Sequence, residues 1–370
     1  MSMSYFDHVC EVVQRPGRYI QSRGWKPFSR LIIRGDSSGW VLDEFAKELS
    51  AVVECLGVLS VDSEYYKACR NQVVFFTSKY FLLKWRKSTH RITFPYFHGD
   101  PRIDPSLLPL FRAVVSRKDE IARIQVSHAQ LENLLLDAGI SREKVHRIPI
   151  AINLDHFSLT TGNKKSSARQ RLGIPEYAVV IGSFQKDGLG FKVGKEPKMI
   201  KGPDTLLEVA AILKGKIDGL HFLLTGPARG FVKAGLERIG IPFTHVVEHD
   251  YRNLERNYHA IDAYLVTSRE EGGPRAILEA MATGVPIVST RVGQAVDLIN
   301  HENNGWLSDV EDAEALAYWT EFAVGKEYSR SDMKMRGRVT AEENCWVAQM
   351  PLWRNFFSET VVSTDLTNLK

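Results

Sequence analysis

Short β-rich runs alternate with helix-patterned segments along most of this chain, and no other feature restricts its fold as much. The runs are RLIIRG, VVFFTS, RITFPYF, RIQVSH and HRIPIAI in the first half, then YAVVIGSF, HFLLTG, THVVEH, AYLVTS, PIVST and NGWLS. Such alternation is the signature of parallel sheets covered by helices, an α/β architecture. At 370 residues the chain exceeds what one hydrophobic core usually serves, so two doubly wound domains are expected. The seam falls in HFSLTTGNKKSSARQRLG, residues 156–173, a polar stretch between the two blocks of strands. The expected division is 1–160, 161–342 and a final segment 343–370. In that segment Trp346, Met350, Trp353 and Phe357 recur at helical spacing, and Pro351 is placed to kink the helix.

Composition narrows the class without naming a partner. The net charge of +4 is too weak to demand nucleic acid but suits anionic ligands. Cys10, Cys55, Cys69 and Cys345 lack CxxC spacing, and the opening MSMSYFDHVCEVVQRPGRY lacks a signal peptide's apolar stretch. Reduced thiols and a cytoplasmic location are therefore expected, with any membrane contact peripheral. The mixed aromatic and basic segment KYFLLKWRKSTHR, residues 79–91, is the candidate for such contact; the alternative is a helix end with solvated lysines.

Two segments carry the chemistry. In EEGGPRAILEAMATGVP, residues 270–286, Pro274 suits the first helical position and Gly284 the C-terminal glycine. Gly272 and Gly273 leave the backbone bare before a helix whose first N–H groups, with those of Gly273, Arg275 and Ala276, attract an anion. Glu271 stands before that helix start and Glu279 roughly 7 to 8 Å along it, at 1.5 Å per residue. A ligand with hydroxyls, a diphosphate, then further hydroxyls fits this spacing, and a nucleotide-diphosphate sugar is such a ligand. The bland reading is a carboxylate favourable to the helix dipole and a second on a solvated face.

The other segment is QKDGLGFKVGKEPKMIKG, residues 185–202, between the strand AVVIGSF and a helix starting near Pro203. Lys186 and Lys201 flank it where a doubly wound sheet binds ligands, and a diphosphate fits between two such cations. Gly188, Gly190 and Gly194 do not form GxGxxG, so no dinucleotide fingerprint is present. A solvated surface loop is the alternative, although a connection this long is more often functional.

SREEGGPRAILEAMATGVPIVSTRVG resembles the E-x7-E motif of the retaining GT-B glycosyltransferases of family 4. The resemblance extends to IRGDSSGWVLDEFAKEL, to TFPYFHG with its strand-ending histidine, and to VSHAQLENLLLDAGISREKVHRIPIAINLDHF. It implies two Rossmann-like domains facing a central cleft, with the final helix crossing back to the first. By the same resemblance Glu271 contacts donor-sugar hydroxyls and Glu279 the ribose. Gly273, Pro274, Arg275 and Ala276 form the diphosphate's backbone cradle, Lys201 is the phosphate-binding lysine, and His98 reaches the donor sugar. The family's Gly-Arg-Leu is here Gly182-Ser183-Phe184, so one phosphate contact lacks its arginine. Lys186 is the substitute, and Arg229 a weaker candidate that otherwise reads as a surface charge.

No DxD motif or metal-ligand spacing is present, so no cofactor or metal is expected beyond the donor itself. The expected activity is transfer of a sugar from a UDP- or GDP-sugar to a saccharide or lipid-linked saccharide, with retained configuration. A non-catalytic sugar-nucleotide-binding scaffold and a nucleotide-sugar epimerase of the same fold are the alternatives.

Overall fold

The computed structural model describes residues 31–35, 41–56, 60–62, 72–84, 86, 89–97, 99–325 and 330–358. The chain divides into two units, Met1–Asp155 with Cys345–Lys370, and His156–Asn344.

In the first unit six parallel strands, β1 (Leu31–Arg34), β2 (Ser60–Asp62), β3 (Val73–Phe76), β4 (Arg91–Tyr96), β5 (Ile121–Val126) and β6 (Val145–Arg147), lie in the order β2-β1-β3-β4-β5-β6. Alternate residues leave each strand on opposite faces, and both faces are covered. Leu31, Ile33 and Phe75 enter one core with Phe45 and Leu49 of α1 (Val41–Cys55). Ile32, Val74 and Phe76 enter the other with Leu110 of α3 (Leu108–Ser116) and Leu135 of α4 (Ala129–Asp137). A short α2 (Lys79–Lys84) follows β3. The C-terminal helix Trp346–Phe357, with Pro351 inside it, adds Trp346, Met350, Trp353, Phe356 and Phe357 to the first of these cores.

The strand β2 was not expected from the sequence. The thiol expectation also needs correction: Cys345 is free and buried, but Cys55 is disulfide-bonded. Pairing depends on which thiols the fold brings together, and spacing along the chain carries no trace of it.

The second unit holds β7 (Val179–Ser183), β8 (Leu220–Thr225), β9 (Phe243–Val246), β10 (Ala263–Val266), β11 (Ile287–Thr290) and β12 (Trp306–Ser308), all parallel, in the order β12-β11-β10-β7-β8-β9. The helices are α5 (Gly162–Leu172), α6 (Pro203–Lys214), α7 (Gly230–Ile239), α8 (Glu255–Tyr258), α9 (Arg275–Thr283), α10 (Ala295–Leu298), α11 (Ala313–Val324) and α12 (Arg330–Glu343); the C-terminal helix is α13. Within this sheet the chain leaves β7, builds β8 and β9 on one side, then returns to build β10, β11 and β12 on the other. The reversal opens a crevice at the carboxyl ends of β7 and β10, where doubly wound sheets bind ligands.

The polar stretch expected as a seam contains α5, capped by Thr161 and ended by Gly173 at φ 66°. Asp262 holds it in place, accepting from Lys165 Nζ at 2.5 Å, Arg169 Nη2 at 2.7 Å and the Val180 amide at 2.8 Å.

Candidate functional site

Glu271, Glu279, Lys201 and the start of α9 come together on the second unit, at the β7/β10 crevice. Lys201 closes a short 3-10 turn, Met199–Lys201, and Gly202 follows at φ 59°. A Cβ on Gly202 would stand 1.9 Å from the Thr267 carbonyl oxygen, so only glycine lets this loop lie against the end of β10. Thr267 Oγ1 donates to the Gly202 carbonyl at 2.9 Å, and the Arg269 amide to the Ile200 carbonyl at 2.9 Å. Arg269 also grips Asp204 through both oxygens, at 2.8 and 2.7 Å, and holds its carboxyl below the usual range. Lys201 is thereby set on a fixed platform.

Its Nζ lies 2.5 Å from Glu271 Oε1, which also accepts from Ser268 Oγ at 2.7 Å. Gln185 Nε2 donates to the Lys201 carbonyl at 2.8 Å. The Glu271 side chain is 12% exposed, largely withdrawn from solvent between Lys201 and Ser268. Gly293 backs it at φ 51°, where a Cβ would meet the Glu271 carbonyl oxygen at 2.5 Å.

Pro274 occupies the N-cap of α9 and not the first helical position expected for it; its ψ of 100° is extended, and helical backbone begins at Arg275. The amides of the first turn precede the intrahelical ladder and face the crevice edge of the sheet. Gly284 ends the helix at φ 71°, as expected. Glu279 is buried, 4% exposed, and accepts from Tyr251 OH at 2.6 Å on Oε1 and from Tyr258 OH at 2.7 Å on Oε2. Burial and the neighbouring Glu279 charge push the Tyr258 phenol well above its ordinary value. Arg275 stacks over the Tyr251 ring at 4.6 Å, with Nε 3.9 Å from Glu279 Oε1.

The remaining candidates fare unevenly. Gly182 is buried in β7, where a Cβ would strike Ile261 Cδ1 at 2.5 Å, so packing there calls for glycine. Lys186 Nζ lies over the Phe191 ring at 3.7 Å, and burial lowers its pKa. Arg229 is no surface charge. It is fully buried, 2.9 Å from the equally buried Asp187, and donates to the Ser183 and Thr225 carbonyls at 2.5 and 3.0 Å. It ties the loop after β7 to the ends of β7 and β8. His98 lies outside the described residues, as do Trp85, Lys87 and Ser88 of the 79–91 segment, whose Lys84 and Arg86 are exposed. Among the described residues no helix is long and apolar enough to cross a membrane.

Sequence reasoning missed Ser268, Tyr251 and Tyr258, which donate to the two carboxylates, and Gln185, which holds the Lys201 carbonyl and accepts from Ser268 Oγ. Ser268 was within reach, three residues before Glu271. The tyrosines were not, because they arrive from the 3-10 turn Tyr251–Asn253 and from α8, distant in sequence from Glu279.

Comparison with known proteins agrees with this fold. The structure of Anabaena Alr3699/HepE in complex with UDP-glucose superposes with a TM-score of 0.70 at 16% identity, over 89% of this chain and 99% of that one. The fold is GT-B. Residues 191–321 match the sequence model of a family described as glycosyl transferases group 1, a segment that includes both glutamates and Lys201. A D-inositol 3-phosphate glycosyltransferase of Corynebacterium urealyticum is 29% identical over 209 residues, 51% of this chain and 45% of its own. The amylovoran biosynthesis glycosyltransferase AmsK of Erwinia amylovora is 27% identical over 192 residues, 50% of this chain and 43% of its own. This GT-B chain thus spans about half the length of the curated relatives it matches.

Proposed function

We propose that this protein is a glycosyltransferase, moving a sugar from a nucleotide-diphosphate sugar, a UDP- or GDP-sugar, to a saccharide or lipid-linked saccharide acceptor in glycoconjugate biosynthesis. The observation that carries the reading is the Lys201–Glu271 contact beside the α9 N-terminus, at the β7/β10 crevice. A diphosphate arriving there draws Lys201 and the helix amides to itself, and Glu271 is released to accept from the hydroxyls of the attached sugar. Glu279, in this reading, takes the ribose hydroxyls by exchanging Tyr251 for them. The names of the relatives support glycosyl transfer, and the UDP-glucose complex of the similar structure supports the donor class.

Lys201 and the helix amides stabilise the leaving diphosphate by preorganised electrostatics, a role that requires no metal. Transfer proceeds on one face with retained configuration. The bond from the anomeric carbon to the phosphate oxygen breaks as the acceptor oxygen bonds that carbon, and the acceptor proton passes to the departing phosphate. Glu271 is held by Lys201 and Ser268, which favours a binding role over a nucleophilic one; a covalent sugar adduct on Glu271, trapped with a fluorinated donor, overturns this step.

The test is nucleotide release from UDP-, GDP- and ADP-sugars with saccharide acceptors. Turnover is expected with one donor class, and Lys201→Ala lowers kcat by about a hundredfold or more, the usual cost of one lost charge stabiliser. Tight nucleotide binding without turnover across the panel makes the chain a scaffold; a changed sugar without acceptor makes it an epimerase.

A further inference from the structure

The loop between β7 and α6 carries more than the phosphate lysines. Leu189, Phe191, Val193 and Met199 are 46%, 68%, 64% and 46% exposed, a concentration of large apolar side chains in water within eleven residues. Lys192, Lys195 and Lys198 are exposed among them, and residues 186–201 hold five lysines against two acids. One of those acids, Asp187, is buried against Arg229.

This segment is built, not slack. Gly188 and Pro197 pair as an antiparallel bridge, the Leu189 amide donates to the Glu196 carbonyl at 2.9 Å, and the Lys198 amide to the Asp187 carbonyl at 2.7 Å. The amides of Gly230 and Phe231, at the start of α7, donate to the Val193 and Gly194 carbonyls at 2.7 and 2.9 Å. Gly188 and Gly194 each press on the Ala228 carbonyl, where a Cβ would come within 2.2 Å. The backbone is thus anchored on α7 while its apolar side chains point away from the core. Apolar groups fixed in water at such density mark an interaction surface.

We infer that this loop is a membrane-contact element that rests on an anionic phospholipid surface. The apolar tip suits the acyl boundary and the lysine ring the negative headgroups, a pairing that a neutral protein groove does not call for. The residues on which the test rests, Phe191, Lys192, Val193 and Lys195, are not those that hold the two glutamates, although Phe191 lies against Lys186. The contact thus lies on the second unit, not on residues 79–91.

The experiment is co-sedimentation of the full chain with vesicles of pure phosphatidylcholine and of phosphatidylglycerol mixed with phosphatidylcholine in equal parts, at low and high salt. Binding is expected only to the anionic vesicles and should weaken as salt rises. Phe191→Ser with Val193→Ser is expected to weaken it at least about tenfold, and Lys192→Glu with Lys195→Glu likewise. The thermal midpoint of each variant is measured alongside, to confirm folding. Lys84→Glu with Arg86→Glu is expected to change little. No binding to anionic vesicles, equal binding to neutral ones, or loss of binding only in the Lys84/Arg86 variant overturns the proposal. So does self-association of the wild type in sedimentation that the Phe191/Val193 variant abolishes, since the tip would then be a protein contact. Failure of vesicle binding with nucleotide release intact removes this inference and leaves the transfer reading standing.

Discussion

A buried or half-buried carboxylate keeps its charge only where donors offset its desolvation, and the second unit meets that demand several times. Glu271 has Lys201 and Ser268; Glu279 has two phenols. Glu255 is the case whose titration can be followed most directly. Burial raises its pKa, but hydrogen bonds from His259 and Ser158 outweigh that and bring it from 4.5 down to about 2. A folded value below the unfolded one gives stability that is fully present above about pH 4.5 and is lost as pH falls towards 2. Glu255→Gln should therefore cost stability at neutral pH, and its gap to the wild type in urea unfolding should close between pH 4.5 and 2. A gap constant across that window would show that the ionised carboxylate contributes nothing.

At the scale of elements, what was legible in the sequence follows from what local pattern encodes. Strands such as Val73–Phe76 and Ala263–Val266 are buried at every residue and announce themselves as apolar runs. The strand SVD, residues 60–62, is three residues at a sheet edge, too short to show any period. The α9 boundaries were readable because proline and glycine mark helix ends; the shift of Pro274 to the N-cap lies within the usual uncertainty of such limits. The Asp187–Arg229 pair was invisible, since 42 positions separate its members and only the folded loop joins them. Burial pushes the Asp187 carboxyl up and the Arg229 guanidinium down, and each resists the shift of the other. Arg229→Met should cost about 3–5 kcal/mol because an acid is left buried alone. Adding Asp187→Asn should recover part of that loss, a non-additivity read from a double-mutant cycle in urea unfolding. Additive losses would mean the two side chains act separately.

At the scale of the whole chain, sequence order and structural membership part company after Asn344. Residues 156–344 form one unit, yet the segment that follows belongs to the other. Its contribution there is large: Trp346, Met350, Trp353, Phe356 and Phe357 are buried in the core built on β1, β3 and α1. At about 1.5–3 kcal/mol for each buried side chain, their loss removes about 7–15 kcal/mol. That equals the whole stability of a typical domain, about 5–15 kcal/mol. A chain ended at Asn344 should consequently keep the second unit folded and lose the first. Limited proteolysis should degrade residues 1–155 while a fragment near 156–344 survives, and UDP or GDP should still raise the thermal midpoint of that fragment if the crevice at β7 and β10 binds the nucleotide unaided. Protection of the first unit in the shortened chain would mean that α1 and the sheet close their core without α13. A protected second unit that neither UDP nor GDP stabilises would separate the two claims, leaving the fold argument intact and moving the donor site off this unit.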